Sequence, residues 1–182
     1  MMNPIAIIDR FYDPRTGLYR ILVDHSRKVR DKALAIAGSL EALNPDLSFI
    51  ASAAMLHDIG IFLTRAKSIG CNGSHPYVCH GYLGRELLDK EGLPEAYGLV
   101  CERHTGAGIT KENIIANHLP LPHRDMVPLS LEEKIICCAD KYFSKSPKKQ
   151  ETLTTPDIIK ELSDISPDHA ERFQGWVKQF NL

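Results

Sequence analysis

The 182-residue chain has no apolar run approaching the roughly 18–20 residues that cross a membrane as a helix. A membrane-spanning protein is therefore not expected. Its opening stretch, MMNPIAIIDRFYDP, has no basic segment ahead of a long apolar one and carries an acid at Asp9. That reads as a chain without a secretory leader, and the cytoplasm is the expected compartment. Its five cysteines, Cys71, Cys79, Cys101, Cys137 and Cys138, are odd in number and contain no C-x-x-C pair. This argues against a disulfide frame or zinc knuckle and for reduced thiols. An excess of positive charge is also lacking, because the formal net charge is -1. No stable nucleic-acid partner and no acidic membrane surface are expected on that balance. Internal repeats, low-complexity tracts and long alternating β-branched runs are missing too.

What remains is helical periodicity, in a composition with 43% apolar and 25% charged residues. Leu18, Ile21, Leu22, Val29, Ala33, Ile36 and Leu40 recur at helical spacing and predict a first long helix ending near Asn44. Asn44-Pro45-Asp46 then predicts a fresh start, with Asn44 as N-cap and Pro45 in the first turn, running to about His57 and stopping near Gly60. Further helices are expected at roughly 78–91, 94–104, 111–117, 130–144, 155–164 and 167–180. Ser130 and Glu133 have capping-box spacing, and Thr155-Pro156-Asp157 and Ser166-Pro167-Asp168 repeat a cap-then-proline pattern. The expected fold class is an all-α, single-domain helical bundle over 1–182, with a core over about 18–145 and a C-terminal helical scaffold over about 154–181.

Against that frame, AAMLHDIGIF at 53–62 is unusual: an apolar helix ends in His57-Asp58. Both side chains are costly to bury unless something pairs with them. The same conflict recurs elsewhere. His25 lies on the stripe of Ile21, Leu22 and Val29, and His80 precedes Leu83 and Leu87 by three and seven residues. His104 follows Val100 and Cys101 by four and three, and Asp140 follows Ile136 by four. Each alone reads as a satisfied core residue. Six on inward faces of one small chain point to a metal centre, because imidazole and carboxylate suit first-row transition metals. A helical bundle can gather such ligands from distant positions. Six ligands exceed one four-coordinate ion but suit two, with Asp58 shared between them.

The order His25, His57-Asp58, Asp140, together with the HDIG form of 57–60, resembles the HD-domain metal-dependent phosphohydrolase superfamily. With His80 and His104, the pattern is similar to the dinuclear subset with H…HD…H…H…D. The resemblance covers roughly 20–145 and extends to RHTGAGIT and LEEKIICCAD. It implies that His25, His57, Asp58 and Asp140 form one metal site and that His80 and His104 complete a second. It further implies two divalent transition-metal ions, iron or manganese foremost, with nickel, cobalt, zinc or magnesium as alternatives. The implied reaction is hydrolysis of a phosphate ester or anhydride, nucleotide-like, by a metal-bound hydroxide, with Asp58 both ligand and catalytic partner of the water. Relatives also include diiron oxygenases, so oxygenation of a small organic substrate and a non-catalytic metal-binding regulatory module are the alternatives.

One departure is Ile61, where many HDIG sequences continue with Lys. Arg65, Lys67 and Arg103 are therefore the chosen candidates for binding substrate phosphate; Arg85 and Lys141 are further cations nearby in sequence. The proline-rich 117–125 stretch, with His118 and His123, is a candidate rim or lid over the pocket. His75, His118 and His123 read as turn or surface residues, and Trp176 as packing.

Overall fold

A computed structural model describes residues 2–145 and 152–182. The described residues are predominantly helical. α1 (Pro4–Ile8) starts at an Asn3 cap, and α2 (Gly17–Gly38) starts at Thr16, whose side chain accepts from the Tyr19 amide. α3 (Leu47–Leu56) delivers His57-Asp58 into a 3-10 turn, Ile59–Leu63. α4 (His80–Lys90) and α5 (Glu95–Arg103) follow as a tightly packed pair. α6 (Lys111–Ala116), α7 (Leu131–Asp140), α8 (Thr155–Ile165) and α9 (Pro167–Phe180) complete the order. No helix among these residues is long and apolar enough to cross a membrane.

Several boundaries differ from the sequence expectation, each for a local reason. α2 ends at Gly38, and a 3-10 turn over Glu41–Leu43 leads to Asn44 in the left-handed region, φ 49°. Asn44 thus ends a turn instead of capping a helix; Asp46 is the true N-cap and accepts from the Phe49 amide at 2.8 Å. Ser130 does cap α7, but Glu133 sends its carboxylate to the Leu129 amide and Arg103, so the expected box is only half built. The cap of α8 is Thr154, one residue earlier than expected, reciprocated by Asp157.

A small three-stranded sheet was not anticipated. β1 (Thr64–Ala66) pairs antiparallel with β2 (Cys71–Asn72) and parallel with β3 (His75–Pro76). Strands of two or three residues carry no readable alternation. They fold the chain back after α3 so that α4 returns beside the HDIG turn.

Three apolar clusters hold the helices. The largest joins Val29, Ala33 and Ile36 of α2, Ile50 and Ala53 of α3, Ile135 and Ile136 of α7, and Phe173, Trp176 and Phe180 of α9. Trp176 is packing, as its spacing suggested. A second cluster surrounds Leu22, Leu56, Ile59, Ile61 and Leu88, and a third joins Cys79, Leu83, Ile109, Ile114, Leu121 and Met126. Removing one large side chain such as Phe173 from such a core costs about 3–5 kcal/mol. All five cysteines are buried and free.

Candidate metal centre

The six inward-facing residues converge. His25 comes from the middle of α2, His57 and Asp58 from the end of α3, His80 from the start of α4, His104 from the end of α5 and Asp140 from the end of α7. All six are buried. Their ligand atoms form two groups, His25, His57, Asp58 and Asp140 in one and Asp58, His80 and His104 in the other.

Asp58 belongs to both groups and divides its oxygens between them. Oδ2 lies 3.3 Å from His25 Nε2 and 3.2 Å from His57 Nε2. Oδ1 lies 3.4 Å from His80 Nε2 and 3.3 Å from His104 Nε2. Asp140 Oδ1 closes the first group, 2.9 Å from His25 Nε2 and 3.4 Å from His57 Nε2.

Backbone carbonyls set the ring orientations. His57 Nδ1 meets the Ala54 carbonyl, His80 Nδ1 the Tyr77 carbonyl and His104 Nδ1 the Cys101 carbonyl, each at 2.7 Å. A carbonyl only accepts, so each Nδ1 carries a proton; the neutral His80 and His104 rings present lone pairs at Nε2, and His57 does so once its second proton leaves. The Nε2 atoms of His80 and His104 stand 3.0 Å apart with Asp58 Oδ1 beside both. Two imidazole lone pairs and a carboxylate oxygen cannot satisfy one another. His57 Nε2 and Asp58 Oδ1 are also buried without a hydrogen bond, while Asp58 Oδ2 is met by the Lys145 ammonium. Orienting a ligand imidazole through its other nitrogen is how proteins prepare metal sites. The donor set and its orientation fit divalent metal binding, with Asp58 common to both groups.

The electrostatics tell the same story. Burial disfavours a charge on His57, but Asp58 and Asp140 outweigh it and lift its pKa to about 9. Burial and the facing His104 push His80 down to about 3, and burial lowers His104 as well. Burial also opposes ionisation of Asp58 and Asp140, yet the cations around them hold both well below the usual carboxylate range: His57 and Lys145 for Asp58, Lys141 and Lys145 for Asp140. The cluster thus attracts positive charge from whatever source is near.

A close approach explains the glycine of HDIG. A Cβ on Gly60 would lie 2.3 Å from the His80 carbonyl and 2.6 Å from the Gly84 amide. Only a bare backbone lets α4 cross the HDIG turn closely enough to set His80 beside Asp58.

The cations differ from those chosen on sequence. Arg103 turns away from His104 and is paired with Glu133 at 3.0 Å. Arg65 is exposed and donates to the Ser74 carbonyl, and Lys67 is exposed in a 3-10 turn. Among the described residues the cations that touch the cluster are Lys145, with Nζ 2.7 Å from Asp58 Oδ2, and Lys141, with Nζ 2.7 Å from Asp140 Oδ2. Lys145 lies beyond the end of α7, where no helical periodicity points to it. Both line a cavity of about 290 Å³ with Tyr77, His80, His104 and Asp140. Tyr77 stacks on His80, ring centroids 4.7 Å apart.

His75, His118 and His123 are exposed and outside the cluster. The 117–125 stretch is pinned by buried Leu121 and by the Cys79 thiol donating to the Pro120 carbonyl. Asn117 and Leu119 line a second cavity next to the metal centre.

The family model for the HD domain matches residues 22–144. The chain belongs to the HD-domain family. An uncharacterized protein of Methanocaldococcus jannaschii is 38% identical over 121 residues, 65% of this chain and 64% of that protein. The tRNA (cytidine(56)-2'-O)-methyltransferase of Thermoplasma volcanium is 32% identical over 128 residues, 70% of this chain and 33% of that enzyme. The same-named enzyme of Picrophilus torridus is 35% identical over 124 residues, 68% of this chain and 32% of that enzyme. The chain therefore matches about a third of each methyltransferase and just under two thirds of the M. jannaschii protein. The crystal structure of the L. monocytogenes phosphodiesterase PgpH HD domain in complex with cyclic-di-AMP shares the fold, with TM-score 0.51 and 14% identity over 90% of this chain and 95% of that one.

Proposed function

We propose that this protein is a metal-dependent phosphohydrolase that cleaves a nucleotide-like phosphate ester or anhydride. The observation that carries the reading is Asp58, whose two oxygens serve two separate ligand groups. His25, His57, Asp58 and Asp140 would hold one ion, and Asp58, His80 and His104 the other. Two ions so placed would acidify a water nucleophile and offset charge on the phosphoryl oxygens. Iron and manganese are the leading candidates for both positions.

The chain's own groups supply the rest. Tyr77, Ala54 and Cys101 fix the three imidazoles through their carbonyls, so the site is organised before substrate arrives. Lys141 and Lys145 bring positive charge to the cavity wall where the anionic oxygens of a phosphate would lie. Asp58, buried and held ionised, is the group placed to orient the attacking water. The HD family membership supports the reading, and the cyclic-di-AMP complex of the PgpH HD domain gives a nucleotide precedent on the same fold. Methyl transfer belongs to the longer relatives and is not carried over, since the shared part is about a third of their length.

Purified protein loaded with Fe(II) or Mn(II) should release phosphate from at least one substrate in a panel of mononucleotides, cyclic nucleotides and dinucleoside polyphosphates, with oxygen excluded. Turnover that requires O₂ and ferrous iron would overturn the proposal in favour of oxygenation.

A further inference from the structure

Next to the metal centre lies a second cavity of about 310 Å³, whose wall includes Val78, Ile109, Asn113, Leu119, Ile165 and His169. It shares Val78, Thr105 and Gly106 with the 290 Å³ cavity that holds His80, His104, Lys141 and Lys145. Each alone sits at the lower limit of small-molecule pockets, about 300 Å³. Together they pair a cationic, ligand-rich compartment with an apolar one.

His169 gives the apolar compartment its chemistry. It is 3% exposed, yet it comes from α9, which the sequence marked only as scaffold. The Ala107 amide donates to its Nδ1 at 3.3 Å, so the neutral ring carries its proton at Nε2. Burial pushes its pKa down and favours that neutral form. Among the described residues the Ala107 contact is the one hydrogen bond of the His169 ring. The ring also lies so close to Gly106 that a Cβ there would be 2.5 Å from Nδ1. His169 is thus fixed against the His104–Ala107 loop while its other nitrogen keeps a free donor. Two more polar groups share the wall. Asn113 uses Oδ1 to accept the Thr110 amide, leaving its NH₂ for a ligand, and Asn117 uses its NH₂ on the Asn113 carbonyl, leaving its oxygen. Apolar walls for two faces and a few donors and acceptors for an edge are what a planar heteroaromatic ring requires.

We propose that the cleft between α6 and the α8–α9 junction is a nucleobase subsite, which holds the base of a nucleotide whose phosphate lies at the Asp58 centre. The inference rests on the phosphohydrolase reading for its phosphate end, but the base end stands on the cleft itself. His169 and the Asn113–Asn117 pair read the base edge, and Val78, Ile109, Leu119 and Ile165 cover its faces.

The test uses two plugging substitutions at the rim, Asn117→Phe and Leu119→Trp, in the full metal-loaded protein. Thermal unfolding checks that each variant is folded, and two positions guard against loss of one. AMP, UMP and methyl phosphate serve as substrates; adenosine and uridine, which carry no phosphate, serve as binding probes by amide chemical-shift mapping. The expected result is a ratio of kcat/KM for AMP over methyl phosphate that falls about tenfold or more in the plugged variants. Adenosine or uridine should shift the amides of residues 109, 113, 117 and 169 in the native protein, and lose that effect in the variants. If phosphate is released but neither nucleoside shifts these amides and the ratio is unchanged, the subsite is overturned while the hydrolase reading stands. If no substrate releases phosphate but a nucleoside binds in the cleft, the hydrolase reading falls and the subsite stands.

Discussion

Lys145 Nζ stands 2.7 Å from Asp58 Oδ2, the same oxygen that faces His25 and His57. A partly buried ammonium thus touches an oxygen that a metal ion would need. The Lys145 side chain is 14% exposed, and Asp58 is fully buried. Without metal, Lys145 and a protonated His57 together offset the charge of the two carboxylates; a metal ion held by the cluster would take over that role.

Removing this ammonium should therefore separate two effects. Lys145→Met leaves Asp58 without its closest cation, and a buried pair broken on one side costs about 3 kcal/mol or more. The EDTA-treated variant should unfold at a lower temperature than the EDTA-treated native protein. Its metal affinity should rise, because the competitor for Oδ2 has gone, so the stabilisation on adding Mn(II) should be larger than in the native chain. Phosphate turnover should fall, since a cation is lost from the cavity wall. Calorimetry with and without metal decides it; equal unfolding temperatures for the two metal-free proteins would show that the contact is not a stabilising one.

The pKa shifts set a pH window for the metal-free protein. His57 is lifted from 6.5 to about 9, so its contribution to stability is fully present below pH 6.5 and is lost as pH rises through 9. His80 is depressed from 6.5 to about 3, so its contribution is present above pH 6.5 and is lost as pH falls toward 3. Asp58 and Asp140, both held low, add to the loss in acid. Denaturant titrations in EDTA should therefore show greatest stability near pH 6.5, with a decline toward both pH 4.5 and pH 9. Metal binding must displace the His57 proton, so affinity should increase with pH up to about 9, with proton release on binding. A metal affinity that does not change between pH 6.5 and 9 would contradict the protonated His57.

Shared and unshared ligands should respond differently. His80→Ala or His104→Ala removes a member of the second group only, and metal content should fall from about two ions per chain toward one. Asp58→Asn keeps the shape but removes the charge common to both groups. Its metal content should fall below one, and turnover should drop by more than about 100-fold, beyond the effect of losing a group that merely supports a ligand. Elemental analysis of the purified variants distinguishes the cases; an Asp58→Asn protein that keeps both ions would rule out the sharing.

The convergence of the candidate ligands was legible in the sequence because helical spacing assigns a face to each residue. His25, His80, His104 and Asp140 are polar residues on apolar stripes, and the structure brings their ligand atoms together. The cations were not legible by the same logic. Arg103 follows from its position beside His104 only if neighbours in sequence share a face, and on a helix they do not: it points to Glu133. Lys145 reaches Asp58 from beyond the last turn of α7, where no period applies. His169 was hidden differently. It sits on the inward face of α9 with Phe173 and Trp176, so its spacing alone cannot separate a packing residue from one that lines a cavity.

Gly60 turns the HDIG motif into a packing prediction. The space that its side chain would occupy is filled by the His80 carbonyl and the Gly84 amide of α4, at 2.3 and 2.6 Å. Backbone atoms in a helix cannot rotate aside as a side chain can, so Gly60→Ala must push α4 away from the HDIG turn. Overpacking of this kind costs about 1–3 kcal/mol, a fall in Tm of roughly 2–10 °C for a chain of this size. The displacement acts on His80, at the start of α4, more directly than on His25 or Asp140, which come from α2 and α7. Gly60→Ala should therefore lose the second ion before the first, with metal content near one per chain and a folded circular-dichroism spectrum. Retention of two tightly bound ions would mean that α4 can shift without moving His80 from Asp58, and that the close crossing serves stability alone.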